Sequence, residues 1–177
     1  MSVREENLNV ELASLLVERG LNAIAEVKLH VGKQRKLPDV LMVVNGVNVI
    51  LEGKYDSPSA REILRNQCKQ RIDKGLAEVA VGIIYDANQI STILIADQKQ
   101  IRNRLKKMPL VVKIWKLGQE NESESPDELG WNTVTLDELV SVIRDAVNSV
   151  ASEDVLAKAV EKIENGVDRM TSNLLQL

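Results

Sequence analysis

The chain has 177 residues, 44% of them hydrophobic and 28% charged, with a formal net charge of -3; this suits one domain with a real core, alone or with a short appendage. One cysteine, Cys68, and one histidine, His30, exclude a disulfide framework, a multi-cysteine zinc site and a two-histidine metal motif. No apolar run approaches the roughly 20 residues that span a bilayer, no signal segment opens the chain, and aromatics at 2% with no Phe argue against base-stacking platforms. The expectation is a cytoplasmic protein with no membrane partner, whose chemistry rests on carboxylates, Lys, Arg and amides.

Residues 4–19 predict an amphipathic helix, with Leu8, Leu12, Leu15 and Leu16 at helical spacing and Gly20 as its stop. Residues 23–31 alternate as a strand, and the basic loop Gly32-Lys33-Gln34-Arg35-Lys36 follows. Residues 37–44 and 47–54 are β-rich runs separated only by Asn45-Gly46, the signature of a two-residue type I′ hairpin. Ser57-Pro58 opens a helix, as N-cap and first helical residue, that ends near Gly75. Residues 78–85 and 91–96 predict strands, 97–107 a short basic helix, and 110–117 a last strand. Beyond a polar linker at 119–130, residues 136–150 and 153–170 show helical periodicity and no strand signal. The fold class this implies is α/β, a mixed central sheet flanked by helices with a C-terminal helical tail. Charge divides at the same place: residues 1–118 hold 19 Lys+Arg against 13 Asp+Glu, whereas 119–177 hold 4 against 13. A basic working domain at 1–118 and an acidic tail at 131–177 are expected.

The hairpin register carries the chemistry. With Asn45-Gly46 as the loop, Val44 faces Val47 and Asp39 faces Glu52, which sets two carboxylates roughly 4.5–5.5 Å apart at Cβ. Lys54 lies two residues further along the same face, shared with Leu41, Val43 and Ile50. The other face is apolar too, as in a sheet covered on both sides. Facing carboxylates repel, and a hard cation such as Mg²⁺ between them turns that repulsion into a site. The plainer alternative is a solvated cluster of ion pairs at splayed strand ends.

Pro38-Asp39, twelve intervening residues, then Glu52-Gly53-Lys54 resembles the PD-(D/E)xK nuclease superfamily, the fold of restriction endonucleases and Holliday junction resolvases. The resemblance covers residues 4–96, including the order of elements. It implies that Asp39 and Glu52 hold Mg²⁺, with Mn²⁺ as a substitute and the Gly53 backbone carbonyl as a further ligand. It implies that Lys54 orients or activates the attacking water and offsets charge at the scissile phosphate. Gln67 and Arg71 lie on the apolar stripe of the second helix, where unpaired polar groups are costly. Gln67 matches the first position of the QxxxY motif found in many members, and Arg71 replaces its Tyr. The family also places one acid of the first helix near the metal, here Glu11 or Glu6, with Glu5 as a third choice.

Lys33, Arg35 and Lys36, with Arg71, are expected to grip DNA phosphates. The tail, closing on Asn173-Leu174-Leu175-Gln176-Leu177, is expected to dock on another subunit, in a homodimer or a larger restriction-type assembly, or to connect to a further domain. The leading expectation is a Mg²⁺-dependent DNA endonuclease serving restriction-modification or another DNA-processing system. The alternative is a catalytically silent nuclease-fold module for DNA binding or protein assembly.

Overall fold

The computed structural model describes residues 3–25, 38–93, 97–119 and 129–175, without the side chains of 153–156, 158, 159 and 162. Six strands, β1 (Ala23–Ala25), β2 (Val40–Val44), β3 (Val47–Tyr55), β4 (Val79–Tyr85), β5 (Leu110–Lys116) and β6 (Asn132–Val134), form one mixed sheet in sequence order. Only β3 and β4 run parallel; every other neighbouring pair is antiparallel. The helices are α1 (Glu5–Glu18), α2 (Ala60–Asp73), α3 (Ala87–Ser91), α4 (Gln98–Lys107) and α5 (Leu136–Leu175). The expected α/β class, a mixed sheet flanked by helices with a C-terminal helix, is the observed one.

Local chemistry explains the boundaries. Asn45 and Gly46 take φ of 50° and 79°, the two left-handed residues that a type I′ turn requires. This fixes the register, and Val40 pairs with Leu51 and Val44 with Val47, as expected. Helix α1 stops at Gly20, φ 86°, where the Leu21 N–H donates to the Leu16 carbonyl in a Schellman turn. Helix α5 opens on a reciprocal capping box: the Thr135 N–H donates to Glu138, and the Glu138 N–H to the Thr135 hydroxyl.

The main core fills one face of the sheet. There α1, α4 and the first half of α5 press Leu8, Leu12, Ile101, Leu105, Leu139 and Ile143 against Val40, Met42, Val49, Leu51, Val81 and Ile83. The other face is covered by α2, through Cys68 and Ile72 on Ile50 and Ala80, and through Ala60 and Leu64 on Ile84. Trp115 and Trp131 meet edge to face at 5.8 Å over Gly82, where a Cβ would lie 3.0 Å from Trp115 and 3.2 Å from Trp131.

Several expectations are corrected. Among the described residues, coverage of both faces does not extend to β1 and β2, since α2 lies over β3 and β4 and leaves Ile24, Leu41 and Val43 exposed. The strand expected from Ser91 is absent as far as Ile93. Asp86 accepts the Asn88 N–H as an N-cap and turns 87–91 into α3; residues 94–96 lie outside the described residues. Helix α2 begins at Ala60, with Ser59 as its N-cap, so Ser57 and Pro58 form the preceding turn. The segment after the linker contains a strand, β6, which pairs with β5. The first half of α5 supplies Leu136, Leu139, Val140, Ile143, Val147 and Val150 to the main core, so residues 132–150 are part of the fold's centre. No helix among the described residues is long and apolar enough to cross a membrane.

Candidate active site

The hairpin, α1 and α2 converge at the end of β3. Asp39 sits one residue before β2, and its Oδ2 accepts the Gly53 N–H at 2.7 Å. Glu52 is buried, with 3% exposure. Its Oε1 accepts from Arg71 Nε at 2.9 Å, and its Oε2 from the Asp39 N–H at 3.4 Å. Lys54 Nζ donates to Glu5 Oε2 at 3.1 Å, and the Tyr55 N–H donates to Glu5 Oε1 at 3.0 Å. Glu5 thereby bridges the first turn of α1 to the last residues of β3.

Beneath this layer the Tyr85 hydroxyl donates to Asn9 Oδ1 at 2.8 Å, in a buried contact. It explains the glycine between Glu52 and Lys54. A Cβ on Gly53 would collide with Asn9 Oδ1 and come within 2.7 Å of the Tyr85 ring, so only a hydrogen lets α1 and β4 close on the strand.

Electrostatics mark the two facing carboxylates as costly. Burial raises the pKa of Asp39, and the Gly53 N–H and the Lys54 charge only partly offset it. Burial also raises that of Glu52, with repulsion from Asp39 as the next cause, and Arg71 pulls the other way. Lys54 is lowered by burial, but its hydrogen bond and attraction to Glu5, with the charges of Asp39 and Glu52, leave it above its ordinary value. Lys54 is therefore a firmly held cation at neutral pH.

Both carboxyls hold protons more tightly folded than unfolded. Ionising them weakens the fold, so their contribution falls as pH rises from the ordinary values of 3.8 and 4.5 through the raised folded ones. Asp39→Asn keeps an acceptor for the Gly53 N–H and removes one of the facing charges. In metal-free buffer at neutral pH it is expected to stabilise the protein by up to about 1 kcal/mol, raising the unfolding midpoint by roughly 2–4 °C. It should also flatten the decline in stability between pH 4 and 7. Thermal melts of wild type and variant across that range are the check.

The structure brings together Asp39, Glu52, Gly53, Lys54 and Arg71, and it corrects two assignments. Arg71 is not presented to solvent as a phosphate contact: it is buried with Glu52, because a guanidinium on the inner face of α2 needs a counter-charge. The first-helix acid at the cluster is Glu5. Glu11 instead pairs with Arg102 of α4 at 3.4 Å, and Glu6 is exposed. Gln67 stands one helical turn before Arg71, and its buried Oε1 has no hydrogen-bond partner. Lys33, Arg35, Lys36 and His30 lie outside the described residues. Sequence reasoning passed over Asn9 and Tyr85, whose only signal is a polar residue on the Leu8–Leu12 stripe and a tyrosine closing an apolar strand.

The donor set fits a hard cation in part. Asp39 and Glu52 offer carboxylate oxygens, the Gly53 carbonyl follows next in the chain, and Mg²⁺ commonly takes only one or two carboxylates and fills its shell with water. The orphaned Gln67 oxygen suits an ordered water as donor. Against this, no group of three or more His, Cys, Asp or Glu side chains converges as a metal site among the described residues. Compared with known proteins, the chain matches no family model and no curated relative.

Proposed function

We propose that this chain is a metal-dependent DNA nuclease of the PD-(D/E)xK type, serving restriction-modification or another DNA-processing system. One observation carries the reading: Asp39 and Glu52 are held together in a buried setting that penalises both charges, with the Lys54 cation beside them. A cation bound between the two carboxylates would offset that repulsion, which is the arrangement a functional site of this kind uses. Asp39, Glu52 and the Gly53 carbonyl would hold Mg²⁺, or Mn²⁺ in its place. When bound, such an ion acidifies water and stabilises phosphoryl charge.

The chain's own groups supply the rest. Arg71 opposes the rise in the Glu52 pKa and fixes the orientation of its carboxylate. Glu5 holds Lys54 at the mouth of the pair, where its ammonium donates to a phosphate oxygen; a lysine that keeps its proton serves as donor and counter-charge, not as base. Gln67 offers an acceptor to a water at the inner wall. Lys33, Arg35 and Lys36, in the segment before Asp39, would contact DNA phosphates.

The test is nicking of supercoiled plasmid with Mg²⁺ or Mn²⁺ beside an EDTA control. Metal-dependent nicking supports the reading; no cleavage with either metal rejects it. In that case the second reading, a silent module of the same fold, takes its place. It is favoured by one observation: Glu5 and Glu52 already have the cationic partners Lys54 and Arg71.

A further inference from the structure

Helix α5 changes its apolar face halfway along. Leu136, Leu139, Val140, Ile143, Val147 and Val150 form the broad stripe that packs into the core, and Ala151 is the last residue against it. Further on, Val160, Ile163, Val167, Met170 and Leu174 recur at alternating steps of three and four residues, and all are between 52% and 71% exposed. At 3.6 residues per turn, the second stripe is rotated by about 140° from the first. It points away from the side on which the helix meets its own domain, so the domain cannot cover it.

A strict three-four alternation is the narrow seam of a coiled coil, not the wider stripe of a helix on a globular core. We infer that this seam pairs with the same seam of a second copy of the chain. Val160, Val167 and Leu174 share one heptad position and Ile163 and Met170 the other, so the seam is apolar at each of its five steps. The flanking positions are Glu164, Gly166, Thr171 and Asn173, with a single charge among them. Self-pairing therefore meets little like-charge repulsion, and the flanks carry no charge pattern to select a foreign helix.

The size of the seam sets the strength of the contact. Five partly exposed aliphatic side chains offer roughly 300 Å² of apolar surface per copy. Two copies thus stay below the ~1,200 Å² of a standard specific interface. The dimer is reversible and forms with rising concentration. This inference is independent of any catalytic activity.

Sedimentation velocity on the full chain, from low micromolar to several hundred micromolar, tests it. The expected result is a shift from the 19.7 kDa monomer to twice that mass. Ile163→Lys and Val167→Lys should each stay monomeric throughout, with an unchanged thermal transition because neither side chain belongs to the core. Leu129→Lys, which removes a comparably exposed apolar group elsewhere (57% exposed), should dimerise like wild type. A wild type that is monomeric at every concentration would overturn the inference. So would seam variants that dimerise normally, or a Leu129→Lys chain that does not.

Discussion

Arg71→Met is expected to destabilise the protein by about 3–5 kcal/mol. Glu52 is 3% exposed, so without the guanidinium its carboxylate is a buried charge beside a second one, Asp39. The predicted response is a further rise in the Glu52 pKa, because the variant loses the attraction that opposes burial and repulsion. The variant should recover stability at acid pH, where Glu52 is neutral, and lose it progressively as pH rises. Adding Glu52→Gln should restore much of the loss, since breaking a buried pair costs far more than replacing both partners. Urea unfolding of the two single variants and the double variant, at pH 5 and pH 7.5, measures the coupling directly. Equal stability of Arg71→Met and wild type would mean that the pair is held by something other than charge.

Lys54→Met is expected to lower metal-dependent nicking by about 10²–10⁴-fold. Among the described residues, its ammonium is the partly exposed cation beside the carboxylate pair, at 28% of its side chain, whereas Arg71 is tucked against Glu52. The metal-induced rise in melting temperature should persist in Lys54→Met, because the residue supplies no oxygen to a cation. Lys54→Arg keeps the charge but places a planar fork where a point charge stood, and should restore only part of the rate. A Lys54→Met protein that cuts at the wild-type rate would remove Lys54 from the mechanism.

Some of this site could be read before any coordinates. Asn45-Gly46 dictates the hairpin, the hairpin dictates the register, and the register puts Asp39 opposite Glu52. Each step is local and strongly constrained. Helical spacing likewise placed Arg71 on the inner face of α2, but it could not name Glu52 as the partner. That contact depends on where α2 crosses β3. The choice among Glu5, Glu6 and Glu11 was illegible for the same reason. The roll of α1 is set by Leu8, Leu12, Leu15 and Leu16 in the core, and Glu11 is taken by Arg102, 91 residues away in sequence.

The elements misread are short or ambiguous ones. β6 is three residues long, too brief for alternation to register. Helix α3, capped by Asp86, takes in Ser91, where the expected strand was to begin, and residues 94–96 of that strand lie outside the described residues. No Gly or Pro stands between the two helical runs of α5, so they join; the apparent break is the turn of the apolar face from the core to the outside.

On the proposed function, the Asp39–Glu52 pair is kept at a cost to stability because it holds the metal for cleavage. Plasmid nicking by Asp39→Asn beside wild type, with Mg²⁺ and with EDTA, tests it most directly. The account predicts metal-dependent nicking by wild type and none above the EDTA background by a variant that melts at the same or a higher temperature. Nicking by Asp39→Asn at the wild-type rate would contradict it.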